Sequence, residues 1–254
     1  MSRRAIAYVV TLLVGSLALA VPRLGLAAGS GGGGVNGSGG GSTSSDSSQS
    51  NEMGKVHPGN SVVTASGNGI TISSRVSGFL GHDMRFSGSV PSAGANQRVE
   101  IERLGKETGG SWRPTAHAYA RGNGSFAVVW HVNHTGRFRF RAVLEPSHGG
   151  HTASPYVTAT LFQYSLATEY GQGFWGSKTA CGETLHHNTL GTANRTLPCG
   201  THVEIYYHGR TIIVAVIDRG PYANGADWDL TLATDQALGV PGTAEIGAAS
   251  VPSH

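Results

Sequence analysis

The 254-residue sequence can hold one large domain or two small ones, and its 39 glycines are far above an ordinary share. The formal charge of +3 is carried by residues 1–28, where Arg3, Arg4 and Arg23 stand without an acid, so the remainder is neutral. Within it, residues 57–162 hold 10 basic and 5 acidic groups, net +5, and residues 163–254 hold 4 and 8, net −4. The basic groups are scattered rather than concentrated in one patch, and no nucleic-acid partner is expected.

Taken in order, the chain opens with Arg3 and Arg4, an uncharged apolar run Ala5–Val21 and small residues around Ala27–Ala28. That layout predicts a secretory signal peptide over 1–28, cleaved near Ala28, although the run is long enough to stay as a membrane anchor. The protein is expected outside the cell or associated with the cell wall or envelope. No cysteine lies near the cleavage position, so lipid attachment is not expected. Residues 29–56 form a Gly/Ser-rich tract with almost nothing to bury and should behave as a disordered tether.

Residues 57–162 change to short alternating runs separated by Gly, Asn and Pro. Strands are predicted near Ile70–Phe79, Met84–Val90, Arg98–Leu104, Trp112–Ala120, Ser125–Val132, Arg137–Leu144 and Tyr156–Phe162, the pattern of an antiparallel β-sandwich. In Arg137–Leu144 the arginines at 137, 139 and 141 should face water and Phe138 and Phe140 the core. His117, His131 and His134 read as surface or loop histidines. The cadence of Trp112, Gly124-Ser125-Phe126 and Gly136–Ala142 resembles the immunoglobulin-like spacer modules of exported bacterial proteins.

Residues 163–254 should form six short strands and one helix, suggesting a small closed barrel. Thr201–Tyr207 and Arg210–Ile217 alternate and join at His208-Gly209 as a hairpin. Thr231–Leu238 reads as a short helix with Asp229 or Thr231 as N-cap and Gly239 closing it. A last strand is predicted near Ala244–Val251. Cys181 and Cys199, in an exported chain, are expected to pair as a disulfide; a catalytic thiol or a metal site is the alternative, but no C-x-x-C is present. His186 and His187 follow Glu183 without metal-ligand spacing, so no metal and no cofactor is expected.

The chemistry concentrates in Val214–Tyr222, VAVIDRGPY. An apolar, β-branched run ends in Asp218, Arg219 and the turn pair Gly220–Pro221, so a buried strand delivers one carboxylate to its own end. With YGQGFWGSKTACGE (Tyr170–Glu183), TLGTANRTLPCGTHVEI (Thr189–Ile205) and DLTLATDQALG (Asp229–Gly239), this order resembles the rare-lipoprotein-A-like (RlpA-like) double-psi β-barrel family over roughly Ser165–Val251. The resemblance implies a six-stranded double-psi barrel with one short helix here, so the chain is expected to be all-β, an immunoglobulin-like β-sandwich followed by that barrel. The resemblance also implies action on peptidoglycan or another cell-wall polysaccharide. Enzymes of the family are lytic transglycosylases, and the related expansins loosen polysaccharide without cutting it.

Carried over by position, Asp218 matches the family's acid and Glu183 the glutamate after the T-A-x-G turn. Thr179, Tyr222 and Asp229 match further motif positions, and Ile217 replaces an asparagine that commonly precedes the acid. Glycosidic cleavage needs a carboxyl group to protonate the bridge oxygen, and one suffices when the sugar's own C6 hydroxyl is the nucleophile. Asp218 is the expected acid/base and Glu183 its partner. Tyr170, Trp175, Thr179, Arg219, Tyr222 and Asp229 are the expected substrate-binding residues, with Trp228 as a further aromatic. The alternatives are a non-catalytic expansin-like wall-binding module and a barwin-like inhibitor. A monomer is expected.

Overall fold

The computed structural model describes residues 52–145, 150–222 and 225–252. The expected signal segment or anchor at 1–28, and the expected tether as far as residue 51, lie outside the described residues. The last residues assigned to the tether are structured. Met53 bridges Ile213, and β1 (Val56–Pro58) pairs antiparallel with the start of a barrel strand, Val56 opposite Ile212.

Next come β2 (Val62–Gly67), β3 (Ile70–Arg75), β4 (Ser77–Phe79), β5 (Asp83–Ser89), β6 (Arg98–Leu104), β7 (Arg113–Tyr119), β8 (Ser125–His131), β9 (Gly136–Glu145), β10 (Thr152–Ala153) and β11 (Val157–Tyr170). Strands β2, β3, β5 and β8 form one antiparallel sheet. A second runs β4–β11–β9–β6–β7, with β10 on β9 and β4 parallel to β11. Every second residue points inward: Ile70 and Ile72, Met84 and Phe86, Phe126, Val128 and Trp130, Phe138 and Phe140 share one buried core. The RFRFR alternation holds, except that Arg137, expected to face water, is largely covered and bonds Glu204. Phe138 and Phe140 are buried, while Arg141 pairs with Glu102 and lies over Trp112 and Arg139 lies over Tyr156.

One predicted strand, Ile70–Phe79, is two. The chain breaks at Val76, whose N–H goes to Ser61, and Ser77–Phe79 crosses to the other sheet to pair with β11. Periodicity could not show this, because both halves alternate and only the partner changes. His131 also has an acid neighbour that spacing did not reveal, Asp83 directly across β5–β8 at 3.1 Å.

Strand β11 runs unbroken for 14 residues through 162/163. Its first part pairs with β9 and β4 and its second part with the barrel. The barrel adds β12 (Thr192–Ala193), β13 (His202–Tyr207), β14 (Arg210–Asp218), β15 (Trp228–Thr231), α1 (Leu232–Leu238) and β16 (Ala244–Ser250). The strand order β11–β16–β13–β14–β12–β15 closes on itself through the parallel β15–β11 pairing. The result is a closed six-stranded barrel around Ala167, Val203, Ile205, Ile212, Val214, Val216, Leu230 and Ile246. The β13–β14 turn has His208 and Gly209 both at positive φ, the type I′ requirement. Thr231 caps α1 by accepting from the Thr234 N–H, and Gly239 ends it in the left-handed conformation.

Two contacts register barrel and sheets along the shared strand. Glu204 of β13 is buried and accepts from Arg137 of β9 at 2.7 Å and from the Thr160 hydroxyl at 2.6 Å. Phe79 of β4 lies over Gly247, stacked on Tyr164 and edge-on to Tyr206. A Cβ at residue 247 would sit 3.1 Å from the Phe79 ring, so the wedge needs glycine there.

Candidate active site at the end of the barrel

Strand pairing places the carboxylates. Thr168 in β11, Asp229 in β15, Ala193 in β12 and Asp218 in β14 stand abreast across four neighbouring strands. The β12–β14 register shifts between Thr192 and Ala193, and the two aspartates flank one space, near enough for the charge of Asp218 to act on the Asp229 carboxyl. Ala193, buried between them, is too small to fill it.

Asp218 is held by backbone. Its Oδ1 accepts from the Ala180 N–H and from the Arg219 N–H, each at 2.8 Å. The Asn expected before the acid is thus not needed for orientation. Ile217 points into the interior, where a Cβ on Gly191 would meet its side chain at 2.5 Å. The turn that supplies Ala180 is itself tied down. Thr179 N–H bonds the Glu183 carbonyl, Gly182 N–H bonds Thr179, and Cys181 N–H bonds Ile217. The expected disulfide is present: Cys181 and Cys199 are joined at an S–S distance of 2.00 Å, stapling this turn to the loop before β13. Arg219 extends away from the carboxylate, its guanidinium donating to the carbonyls of Asn194 and Asp218 and to Cys199 Sγ.

Asp229 is half-buried and accepts from the Thr168 hydroxyl at 2.8 Å. Burial raises its carboxyl above the ordinary aspartate range, the Thr168 bond opposes this, and the charges of Asp218 and Glu169 add to it. Tyr170 stands among the acids. Its hydroxyl is buried with no hydrogen-bond partner among the described residues. Burial pushes it far up, followed by the negative fields of Asp218, Asp229 and Glu183. Those three fields on one phenol show that the motif carboxylates, scattered over 47 positions of sequence from Glu183 to Asp229, converge. Thr179 Oγ1 is likewise buried without a partner among the described residues. Two orphan hydroxyls beside paired carboxylates mark a place that can receive a polar ligand. Glu183 itself is exposed at the rim.

The aromatics divide. Tyr222 is 79% exposed and Phe174 57%, the latter missed from the sequence although it sits inside the YGQGFW motif. Trp175 packs on Gly171 and lies tilted against His187 at 4.3 Å, which gives that histidine a packing role. Arg195 clamps the Tyr222 loop through the carbonyls of Pro221 and Ala226 and the Asp227 carboxylate. Trp228 is a correction: it is buried in the barrel core and offers no face to a sugar.

Residues 163–251 match the family described as lytic transglycolase, DPBB_1. Over these residues the C-terminal barrel is similar to the RlpA-like double-psi β-barrels. The probable endolytic peptidoglycan transglycosylase RlpA of Synechocystis sp. is 40% identical over 86 residues, 33% of this chain and 27% of that protein. The endolytic peptidoglycan transglycosylase RlpA of Yersinia pestis is 37% identical over 86 residues, 33% of this chain and 24% of that protein. That of Pseudomonas aeruginosa is 33% identical over 123 residues, 43% of this chain and 35% of that protein. The chain thus spans about a quarter to a third of these relatives' length. Among solved structures, Streptomyces papain inhibitor is 28% identical with a TM-score of 0.29, covering 35% of this chain and 92% of that one.

Behind the RlpA-like site, α1 carries a second buried acid. Asp235 Oδ1 has no hydrogen-bond partner among the described residues, and burial, then the charge of Glu169, pushes its carboxyl up to about 6. The folded state therefore favours the protonated form. The stability this confers is complete below about pH 4 and lost as pH rises through 6, on the order of 3 kcal/mol at most. Asp235→Asn should raise the melting temperature at pH 7 and flatten its decline between pH 4.5 and 7. An unchanged decline in thermal melts would remove Asp235 as its source.

Proposed function

We propose that this is an exported, peptidoglycan-active protein whose barrel cleaves glycan strands as a lytic transglycosylase. The observation that carries the reading is the convergence of Asp218, Asp229 and Glu183 around the buried Tyr170 hydroxyl at one end of the barrel. The RlpA names of the relatives matched over this domain support the same substrate.

Asp218 serves as acid and then base: it protonates the bridge oxygen, and its carboxylate next takes the proton of the attacking C6 hydroxyl. Burial, with the charge of Asp218 adding to it, lets the neighbouring Asp229 carboxyl keep its proton to higher pH than an ordinary aspartate. Glu183 at the rim stabilises positive charge developing on the sugar. Phe174 and Tyr222 offer exposed aromatic faces for sugar rings.

The N-terminal module acts as an immunoglobulin-like spacer in this reading. Its chain switches sheets between β3 and β4, and β4 then lies parallel to the last strand. Export rests on the Arg3–Ala28 pattern, and the protein works as a monomer. The disulfide beside the acid favours a second reading, an expansin-like module that binds and loosens the polymer without cutting it. Mass spectrometry of intact sacculi incubated with the protein separates the two. Anhydro-muramyl products are expected; binding with no soluble sugar selects the expansin-like reading.

A further inference from the structure

A second groove lies at the other end of the barrel. It has a volume of about 450 Å³, and its walls include Tyr164, Tyr206, Tyr207, His208, Glu245 and Gly247. The hairpin turn at 208–209 begins β14 and Asp218 ends it, so the two sites are separated by roughly 25 Å of strand.

Strand register builds the groove floor. Tyr164 of β11, Gly247 of β16 and Tyr206 of β13 stand in one row, with Leu166 opposite Glu245 two residues on. Gly247 lets Phe79 seat between the two tyrosines, and the groove opens beside them toward Tyr207, His208 and Glu245. The rings are fixed from behind: Phe79 stacks on Tyr164 at 4.6 Å and 7°, and Tyr206 donates its hydroxyl to Asn60. Tyr207 and His208 stack at 4.1 Å and 8° as a second wall. Tyr164 is nevertheless 42% exposed and His208 is exposed.

Rigid aromatic faces at an exposed site suit a ligand that is apolar on one face and hydroxylated at its edges. Glu245 is the acidic group of the wall, and its field, after burial and Tyr206, raises the Tyr164 phenol. A carboxylate disfavours a polyanion and accepts hydrogen bonds from hydroxyl or amide groups. Those are the properties of a neutral amino-sugar chain.

We propose that this groove is a second glycan-binding site, which holds a β-linked N-acetylamino-sugar strand while the Asp218 end works on the polymer. The substrate class rests on the proposed function, but the site and its test do not require cleavage.

The test uses the full chain with Tyr164→Ala and His208→Ala combined, pelleted with insoluble peptidoglycan. Apparent affinity should fall about fivefold or more, the size of a lost aromatic contact. Tyr164→Phe, which keeps the ring, should bind like the parent. Cleavage of a short soluble oligosaccharide of alternating N-acetylmuramyl and N-acetylglucosamine residues, which reaches the Asp218 end alone, should be unchanged. Unaltered pelleting by the double variant overturns the site, as does equal loss with Tyr164→Phe or a parallel fall in oligosaccharide cleavage. Tyrosine-dependent pelleting by a parent that releases no sugar upholds the groove and removes the transglycosylase reading. Cleavage with tyrosine-independent pelleting does the reverse. Pelleting that is lost for the variants only when another protein coats the sacculi marks a protein-docking surface and also overturns it.

Discussion

Asp218→Asn should lower release of anhydro-muramyl products from sacculi by at least about a hundredfold, the lower end of what positioned acid–base catalysis contributes. Asparagine is the informative replacement. Its side-chain oxygen can still accept from the N–H groups of Ala180 and Arg219, so the turn stays in place while the titrating proton is removed. Pelleting with insoluble peptidoglycan and the melting temperature should therefore match the parent. A variant that releases as much product as the parent would end the assignment of Asp218 as acid/base. Asp229 also sets a pH limit. A step that needs its proton slows as pH rises through the raised Asp229 value, because the protonated fraction disappears.

Replacing both Cys181 and Cys199 by serine should have the other large effect, and it should appear in two places. The bridge closes a sequence separation of 18, which corresponds to about 3 kcal/mol in the chain-entropy account. Urea unfolding should show that loss. Activity should fall further than stability explains. Cys181 follows the residue whose N–H holds Asp218, and Cys199 Sγ receives an Arg219 N–H. Without the staple the Lys178–Glu183 turn can move relative to β14, and a displacement of about 1 Å at a catalytic group costs on the order of a hundredfold. Product release measured where the variant is fully folded should drop at least tenfold. Full activity under those conditions would make the disulfide a brace for the fold alone.

The legible parts of the site were those written in consecutive residues. VAVIDRGPY announced a strand with an acid at its end, and β14 stops at Asp218. Two cysteines in a chain expected to be exported announced a pair, and the pair is bonded. His208-Gly209 announced a tight hairpin because two adjacent positive-φ positions have few residue solutions. Thr231 and Gly239 announced both ends of α1 by the same local logic.

The row Thr168–Asp229–Ala193–Asp218 was not legible. It joins four strands whose pairing depends on which edges remain open after the barrel closes, and no local periodicity encodes that. The same holds for β4, which alternates like its neighbour β3 but finds its hydrogen bonds on the opposite sheet. Trp228 shows the limit for single aromatics: the sequence reads a large ring near an acid, and the closed barrel decides that it points inward. Phe79 shows it from the other side, since its place between Tyr164 and Tyr206 depends on a glycine 168 positions later.

By itself, the sequence determined the all-β class, most strand positions, the hairpin, the helix caps, the disulfide partners and the identity of the strand-end acid. Each follows from a side-chain period, a backbone restriction or a chemistry confined to a few neighbouring residues. Tertiary structure alone decided that β11 serves both cores, that Ala180 rather than residue 217 aims Asp218, and that Asp229 shares its space. Those depend on strand register and barrel closure, where residues far apart in the chain compete for the same hydrogen bonds.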